Sequence, residues 1–289
     1  MSLRIDQALA RASELSQLSD SPLLDLQLLL ESVLAKPRSY LYTWPERQLS
    51  DAQTLQFDAL LTRRIAGEPI AHILGFRDFW TLNLEVNAST LIPRPETELL
   101  VELALQTLDA TPKRVADLGT GTGAIALSLA SERPVWEISA VEYSAAAAAL
   151  AERNRARLEL SNVAILSGSW CQPLAGEFDL ILSNPPYIDP DDPHLQQGDV
   201  RFEPLTALVA ENHGLADIQT IVGQAYPLLK PEGWLMLEHG YNQAEAVRQL
   251  LAGVGFQQVH SCTDLNQLER VTLGCRAPSQ SALNEDIQA

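Results

Sequence analysis

The sequence Val115-Ala116-Asp117-Leu118-Gly119-Thr120-Gly121-Thr122-Gly123 joins a short apolar run to a glycine-rich loop. The apolar run predicts a buried strand, and a helix-compatible stretch that begins at Ala124 follows the loop. Glycine permits positive φ and lets a ligand approach the backbone without meeting a Cβ atom. We therefore predict a strand–loop–helix unit that binds a cofactor near the start of an α/β domain.

An acidic residue, Glu142, ends the next predicted strand and favours a cofactor that contains adenosine. A carboxylate in this place can accept hydrogen bonds from both hydroxyls of a ribose. Gly119, Gly121 and Ala124 also fit the G-x-G-x-x-A pattern of dinucleotide-binding proteins. The glycine loop alone therefore leaves a nicotinamide dehydrogenase, another adenosine cofactor and a plain tight turn as alternatives.

Residues 178–187, Phe-Asp-Leu-Ile-Leu-Ser-Asn-Pro-Pro-Tyr, predict a second functional corner at the end of a buried strand. Pro185 and Pro186 fix two φ angles and remove two backbone donors, so the loop is stiff. The Asn184 side-chain oxygen and the Pro185 carbonyl are two acceptors, which is what an NH₂ group with two hydrogens requires. Tyr187 offers a flat face for a planar conjugated group. This corner favours chemistry on a planar amino group over hydride transfer.

The rest of the chain predicts three parts and a tail. Residues 1–73 have the apolar faces and start signals of a small helical bundle, including Ser21-Pro22 and a Ser50/Gln53 capping box. Residues 74–92 alternate polar and apolar residues like a β-hairpin linker. Residues 93–276 contain short apolar runs between helix-compatible stretches, which predicts a mostly parallel sheet with helices on both faces. These runs are 115–118, 138–141, 163–166, 180–182 and 235–237. Residues 277–289 are polar and predict a loose tail.

The composition excludes several classes of protein. The 289 residues include 20 Lys and Arg against 37 Asp and Glu, a net charge of −17, which disfavours non-specific nucleic-acid and anionic-membrane binding. Cys171, Cys262 and Cys275 are far apart and, with five scattered histidines, predict neither a disulfide framework nor a metal site. No signal peptide or membrane-spanning run is evident. We expect a cytoplasmic monomer that binds no metal, membrane or nucleic acid.

The glycine loop, the acid after the second strand and Asn-Pro-Pro-Tyr together resemble the S-adenosylmethionine-dependent methyltransferases that modify planar amino groups. The closer resemblance is to the HemK/PrmC family, which methylates a glutamine in peptide chain release factors. It rests on residues 91–98 (Leu-Ile-Pro-Arg-Pro-Glu-Thr-Glu), 194–205 (His-Leu-Gln-Gln-Gly-Asp-Val-Arg-Phe-Glu-Pro-Leu) and 269–274 (Glu-Arg-Val-Thr-Leu-Gly), and it covers residues 3–276. It implies a class I methyltransferase fold, which is Rossmann-like with a mostly parallel seven-stranded sheet, preceded by a small all-helical domain and a β-hairpin linker.

The resemblance also implies an activity and a set of site residues. The methyl group of S-adenosylmethionine would pass to the side-chain amide of the glutamine in a Gly-Gly-Gln motif, leaving S-adenosylhomocysteine, and residues 1–73 would recognise the release factor. Asp117 would face the amino group of the cofactor, which would also contact Gly119, Thr120, Gly121, Thr122, Gly123, Glu142, Trp170 and Asn184. The substrate would contact Asn184, Pro185, Pro186 and Tyr187, of which Asn184, Pro185 and Tyr187 are the catalytic candidates. The family more often has aspartate where Glu142 stands, which leaves the geometry of ribose binding open.

Two rival functions remain open, together with the roles of four residues. A DNA adenine methyltransferase would also read an amino group with Asn-Pro-Pro-Tyr, but it needs a basic path for the nucleic acid. A non-catalytic cofactor-binding scaffold would not need two fixed acceptors. Arg94 and Glu96 fit an active-site role or a salt-bridged hinge equally well, and His194 and His239 are weak candidates for a base. Since an amide nitrogen is a poor nucleophile and no base adjoins the clamp in sequence, we expect catalysis by positioning and electrostatics.

Overall fold

A computed structural model of the chain describes residues 3–278. The predicted loose tail, 277–289, lies outside these residues from Ser279 onward. The described chain forms two compact units. One unit extends to Phe76 and includes Pro193–Glu203, whereas the other contains Arg77–Asp192 and the chain from Pro204 onward.

The first unit, here called the N-terminal unit, is a bundle of short helices packed through their apolar faces. Its helices are α1 (Ile5–Ala10), α2 (Pro22–Leu34), α3 (Arg38–Thr43), α4 (Asp51–Ile65) and α5 (Ile70–Leu74). Helix α2 begins at Pro22 as predicted, although the Ser21 side chain forms no capping hydrogen bond. Helix α4 has the predicted capping box, in which Ser50 Oγ accepts from the Gln53 N–H at 3.2 Å and Gln53 Oε1 accepts from the Ser50 N–H at 3.0 Å.

Residues 193–203, here called the docked segment, pack with the N-terminal unit although the sequence analysis placed them in the region 93–276. The Arg64 side chain in α4 is only 4 % exposed and donates to Asp25 Oδ2 at 2.7 Å and to Asp199 Oδ1 at 2.9 Å. A buried guanidinium requires paired charges and hydrogen-bond acceptors. Because Asp25 and Asp199 are far apart in sequence, no local pattern could predict this arrangement.

The second unit, here called the sheet unit, is built on one large sheet. After the hairpin of β1 (Phe76–Phe79) and β2 (Leu82–Glu85), its strands are β3 (Arg114–Leu118), β4 (Glu137–Glu142), β5 (Val163–Ser167), β6 (Phe178–Ser183), β7 (Leu229–Glu238), β8 (Gln257–Thr263) and β9 (Glu269–Cys275). The sheet order is β5-β4-β3-β6-β7-β9-β8, in which the first five strands are parallel and β9 runs antiparallel to both of its neighbours, β7 and β8. The structure therefore confirms the predicted mostly parallel seven-stranded sheet.

Helices cover both faces of this sheet. They are α6 (Glu98–Thr107), α7 (Ala124–Glu132), α8 (Ala145–Arg157), the single turn α9 (Glu211–Gly214), α10 (Ala216–Ala225) and α11 (Ala244–Val254). Residues of β3 enter two different apolar clusters: Val115 belongs to the cluster that contains Leu127, and Leu118 to the cluster that contains Ile221. This distribution shows that β3 is buried on both sides, as expected for a central parallel strand. No helix within the described residues is long and apolar enough to cross a membrane.

The topology brings the predicted functional loops to one edge of the sheet. The strand order reverses between β3 and β6, and ligands of open α/β sheets bind beyond the carboxyl ends of strands at such a switch point. Gly119 follows β3, Glu142 ends β4 and Asn184 follows β6. The residues that the sequence analysis singled out therefore meet at the place where the fold favours a site.

Candidate active site

A cavity of about 340 Å³ opens at this edge of the sheet within the sheet unit. Of the residues predicted for the site, Gly119–Thr122, Glu142, Trp170, Asn184 and Pro186 line it. Gly123, Pro185 and Tyr187 are not among its lining residues. The cavity thus joins the predicted cofactor loop to the Asn184 corner, and it has the size of a small-molecule site.

The glycine loop is held against the neighbouring strand by its own backbone. The N–H groups of Gly119 and Thr120 both donate to the Val141 carbonyl, at 2.9 and 3.0 Å. Gly119 has a φ of +70°, and a Cβ atom added to it would lie 3.3 Å from the ring of Trp170. The absence of a side chain at Gly119 therefore permits both the turn and the close approach of the Trp170 ring.

Two carboxylates lie under and beside this loop. Asp117 is fully buried, and its Oδ2 accepts from Thr120 Oγ1 at 2.6 Å and from the Ala126 N–H at 3.2 Å, whereas its Oδ1 has no hydrogen-bond partner. Glu142 accepts from the Gly121 N–H through Oε2 at 2.9 Å and from the Ser144 N–H through Oε1 at 2.8 Å. Burial raises the pKa of Asp117 to about 7, against the opposing effect of its hydrogen bonds and with a further increase from the charge of Glu142.

The raised pKa of Asp117 predicts how the stability of the ligand-free protein depends on pH. The folded protein holds the Asp117 proton more tightly than the unfolded chain does. The resulting contribution to the free energy of unfolding is therefore fully present below the ordinary pKa of 3.8 and is lost as the pH rises through about 7. We expect Asp117→Asn to reduce the loss of unfolding free energy between these two pH values. Urea unfolding of both proteins across this range measures the effect, and equal losses in the two would contradict it.

Trp170 and Asp217 also line the cavity. Trp170 has a φ of +47°, and its side chain hydrogen-bonds with Asp217, which lowers the pKa of that carboxyl against the larger raising effect of burial. Asp217 stands in the first turn of α10, and the sequence analysis did not identify it. No local signal could have done so, since only the packing of α10 brings Asp217 to the glycine loop.

The Asn184 corner is anchored on several sides. Ser183 Oγ donates to the Leu118 carbonyl at 2.7 Å and thus ties the end of β6 to β3. Asn184 Nδ2 donates to Thr97 Oγ1 at 3.0 Å. The Tyr187 hydroxyl donates to Glu238 Oε1 at 3.3 Å, and the Tyr187 carbonyl accepts from Gln243 Nε2 at 3.0 Å. Thr97, Glu238 and Gln243 are therefore site residues that sequence reasoning missed.

Glu238 is the second strongly perturbed acid of the site. It is 1 % exposed at the end of β7, and burial raises its pKa to about 7. Hydrogen bonds from Thr97 and Tyr187 and the charge of Arg270 oppose this rise, whereas the charge of Glu96 adds to it. Burial in turn raises the pKa of the Tyr187 hydroxyl, which keeps it a hydrogen-bond donor.

The remaining candidates from the sequence are placed as follows. Arg94 lines the cavity, whereas Glu96 lines a separate groove of the sheet unit. His239 is buried away from the cavity, and its ring nitrogens contact Thr272 Oγ1 at 2.7 Å and the Gly240 carbonyl at 2.9 Å. His194 belongs to the docked segment of the N-terminal unit. Among residues 3–278 no cluster of His, Cys, Asp and Glu could hold a metal ion.

Comparisons with known proteins agree with this architecture. Residues 7–75 match the family model of the PrmC N-terminal domain, and residues 96–198 match that of the methyltransferase small domain. A crystal structure of a methyltransferase from Pyrococcus furiosus covers 76 % of this chain and 99 % of its own, with a TM-score of 0.54 and 18 % identity. At this identity, the similarity shows a shared fold.

Several curated relatives match over nearly their whole length, and each is named release factor glutamine methyltransferase. The Escherichia coli protein is 55 % identical over 89 % of this chain and 94 % of its own. The Pseudomonas aeruginosa protein is 57 % identical over 90 % and 95 %, and the Vibrio cholerae protein is 52 % identical over 95 % and 97 %. With this identity and coverage, the chain belongs to the release factor glutamine methyltransferase family.

Proposed function

We propose that this protein transfers a methyl group from S-adenosylmethionine to the side-chain amide nitrogen of the glutamine in the Gly-Gly-Gln motif of peptide chain release factors. The observation that carries the proposal is the position of Asn184, whose side-chain amide is anchored through its nitrogen at the cavity lined by the glycine loop. The names of the relatives support the substrate, and the shared fold supports the reaction class.

The residues of the cavity fit S-adenosylmethionine. The unpartnered Asp117 Oδ1 suits the ammonium group of its methionine part, and the Thr90 hydroxyl, which is also without a partner, lines the same cavity. Each Glu142 oxygen retains a free lone pair after accepting one backbone N–H, so the carboxylate can still accept the ribose hydroxyls. Trp170 provides a flat surface for the adenine ring. When bound, the cofactor supplies an electrophilic methyl group on a positively charged sulfur.

The protein's own contribution is to hold a weak nucleophile in place. Asn184 Oδ1 and the Pro185 carbonyl each accept a hydrogen bond from one N–H of the glutamine amide and so fix the direction of its lone pair. Alignment of two bound reactants lowers a barrier by about 7–11 kcal/mol. These N–H groups become more positive as the new bond to nitrogen forms, so both acceptors bind the transition state more tightly than the ground state. The nitrogen then releases one proton to water.

Tyr187 and the N-terminal unit complete the proposal. Tyr187 keeps the corner rigid through its carbonyl and hydroxyl contacts, and Pro186 forms the wall on which the glutamine side chain lies. We assign recognition of the release factor to the N-terminal unit, in which the large side chains of Tyr42, Trp44 and Leu55 are exposed. Exposed aromatic residues of this kind are typical of protein–protein contacts.

Methyl-labelled S-adenosylmethionine tests the proposal directly. We expect label to enter a recombinant release factor and to be absent from the same factor when the Gly-Gly-Gln glutamine is replaced by alanine. Duplex DNA, offered as the third acceptor, should remain unlabelled, as the net charge of −17 favours no nucleic-acid substrate. Label in DNA, or equal label in the glutamine-replaced factor, would contradict the proposed substrate.

A further inference from the structure

Thr97, in the 91–98 motif, forms a hydrogen bond with Asn184. It ends the 3₁₀ turn Pro95–Thr97, is 5 % exposed, and its N–H donates to the Arg94 carbonyl at 3.1 Å. Its hydroxyl accepts from Asn184 Nδ2 at 3.0 Å. A buried threonine on a fixed turn can therefore restrain the Asn184 side chain through this one contact.

The identity of the Thr97 contact decides what Asn184 can offer to a substrate. A side-chain amide has a donor end and an acceptor end, and rotation by half a turn about its last bond exchanges them. With Nδ2 directed at Thr97, the Oδ1 end is left for the cavity that Asn184 lines. In the opposite orientation, two Asn184 N–H groups would face the N–H groups of the substrate amide.

Glu238 supplies the reason why the orientation with Nδ2 toward Thr97 is preferred. The Thr97 hydroxyl acts on the Glu238 carboxylate, whose Oε2 is buried and has no hydrogen-bond partner in the structure. A hydroxyl has one hydrogen, and this charged carboxylate is the stronger acceptor for it. Only lone pairs of Thr97 Oγ1 then face Asn184, so Asn184 must donate. The groups that act on Glu238 from neighbouring elements are Tyr187, Arg270 and Glu96, and the first of these donates to Oε1 at 3.3 Å.

We propose that Thr97 and Glu238 are positioning residues, which fix the Asn184 amide so that its oxygen is presented to the reacting amide nitrogen. The substrate named in this inference rests on the proposed function, whereas the hydrogen bonds among Asn184, Thr97 and Glu238 do not depend on it. When Glu238 is protonated, it can donate to Thr97, which then becomes free to donate to Asn184 and stabilises the reversed amide. Through these hydrogen bonds, the charge of Glu238 determines whether Asn184 presents its oxygen or its nitrogen to the cavity.

Steady-state kinetics at saturating cofactor tests the positioning role. Thr97→Val removes the hydroxyl with little change of shape and should lower kcat by up to about 100-fold, since a misplacement of about 1 Å at a reacting centre can cost this much. Thr97→Ser should restore most of the rate. The kcat of the parent protein should decline as the pH falls through about 7, the pKa of Glu238, and this decline should be absent in Glu238→Gln. Thr220→Val, which removes an exposed hydroxyl bonded to the Ala216 carbonyl in α10, is the matched control.

A spectroscopic measurement separates failure of this inference from failure of the proposed function. In protein labelled with ¹⁵N-asparagine, the Asn184 side-chain NH₂ signals, assigned with Asn184→Asp, should exchange slowly with water and should lose this protection in Thr97→Val. Unchanged protection in Thr97→Val, or equal kcat losses in the valine and serine variants, would overturn the positioning role. If release factor is not methylated by the parent protein, the proposed function fails while the NMR result still decides the hydrogen-bond chain.

Discussion

Asn184→Ala is expected to abolish most methyl transfer to release factor while leaving cofactor binding nearly intact. The variant removes one of the two proposed acceptors, Asn184 Oδ1, and also the Asn184 Nδ2 group that donates to Thr97. Loss of a single preorganised hydrogen-bonding group at a reacting centre lowers kcat by about 10²–10³-fold. The cofactor would keep its contacts with the glycine loop and Glu142, which lie on β3 and β4 rather than β6. The loss should therefore appear in kcat much more than in the dissociation constant of S-adenosylmethionine.

Single-turnover methylation and calorimetric cofactor titration separate these two quantities. Asn242→Ala is the control, since Asn242 is an exposed asparagine that does not line the cavity. A methylation rate of Asn184→Ala close to that of the parent protein would rule out the two-acceptor mechanism. A comparable loss of cofactor affinity would instead assign Asn184 mainly to the cofactor.

Gly214→Ala is expected to have the second largest effect, although Gly214 does not line the cavity. Its φ is +79°, and a Cβ atom would lie 2.0 Å from the Tyr187 carbonyl oxygen and 2.6 Å from Gln243 Nε2. Because a backbone atom cannot move aside cheaply, the substitution must displace Tyr187 or break the Gln243 bond that holds its carbonyl. A displacement of about 1 Å at a reacting centre can cost about 10²-fold in rate. We expect a loss of kcat approaching this value, together with a lower melting temperature from the strained φ.

Gly223→Ala is the matched control for this prediction. Gly223 lies inside α10, and a Cβ atom there would meet nothing within 4 Å. Alanine in a helix interior is more favourable than glycine by about 0.5–1 kcal/mol, so this variant should be slightly more stable and fully active. Thermal unfolding and methylation assays of both variants test the contrast. An active, undestabilised Gly214→Ala protein would mean that the Tyr187 carbonyl is not held as the structure indicates.

The sequence predicted the catalytic sheet because parallel strands carry a strong local signal. Each central strand is a short run of apolar residues, and the observed β3 to β6 lie where these runs predict them. The start of β7 was predicted poorly, since residues 230–233 (Lys-Pro-Glu-Gly) indicated a helix stop but belong to the strand. Glu232 in this stretch has a φ of +64°, so the left-handed backbone expected of a turn occurs inside β7, and the register with β6 shifts there.

The candidate site could be predicted only where its residues are consecutive in the sequence. The glycine loop and the Asn184 corner are contiguous motifs, and the structure brings both to one cavity. Thr97, Glu238 and Asp217 contribute through contacts between distant elements, and as single residues in ordinary strands and helices they carry no pattern of their own. The 91–98 motif drew attention to Arg94 and Glu96, whereas a neighbouring hydroxyl makes the contact with Asn184. Buried hydrogen-bond partners are thus the part of a site that tertiary packing alone defines.

The docked segment has a consequence for how this protein could be divided or recombined. The chain leaves the sheet unit at Asp192, five residues after Tyr187, and re-enters it at Pro204. A gene cut after Phe76 would deprive Arg64 of Asp199 in one fragment and leave 193–203 without its native surroundings in the other. The helical bundle is therefore not an interchangeable module, and we expect that productive chimaeras between related enzymes must exchange both pieces of it at once.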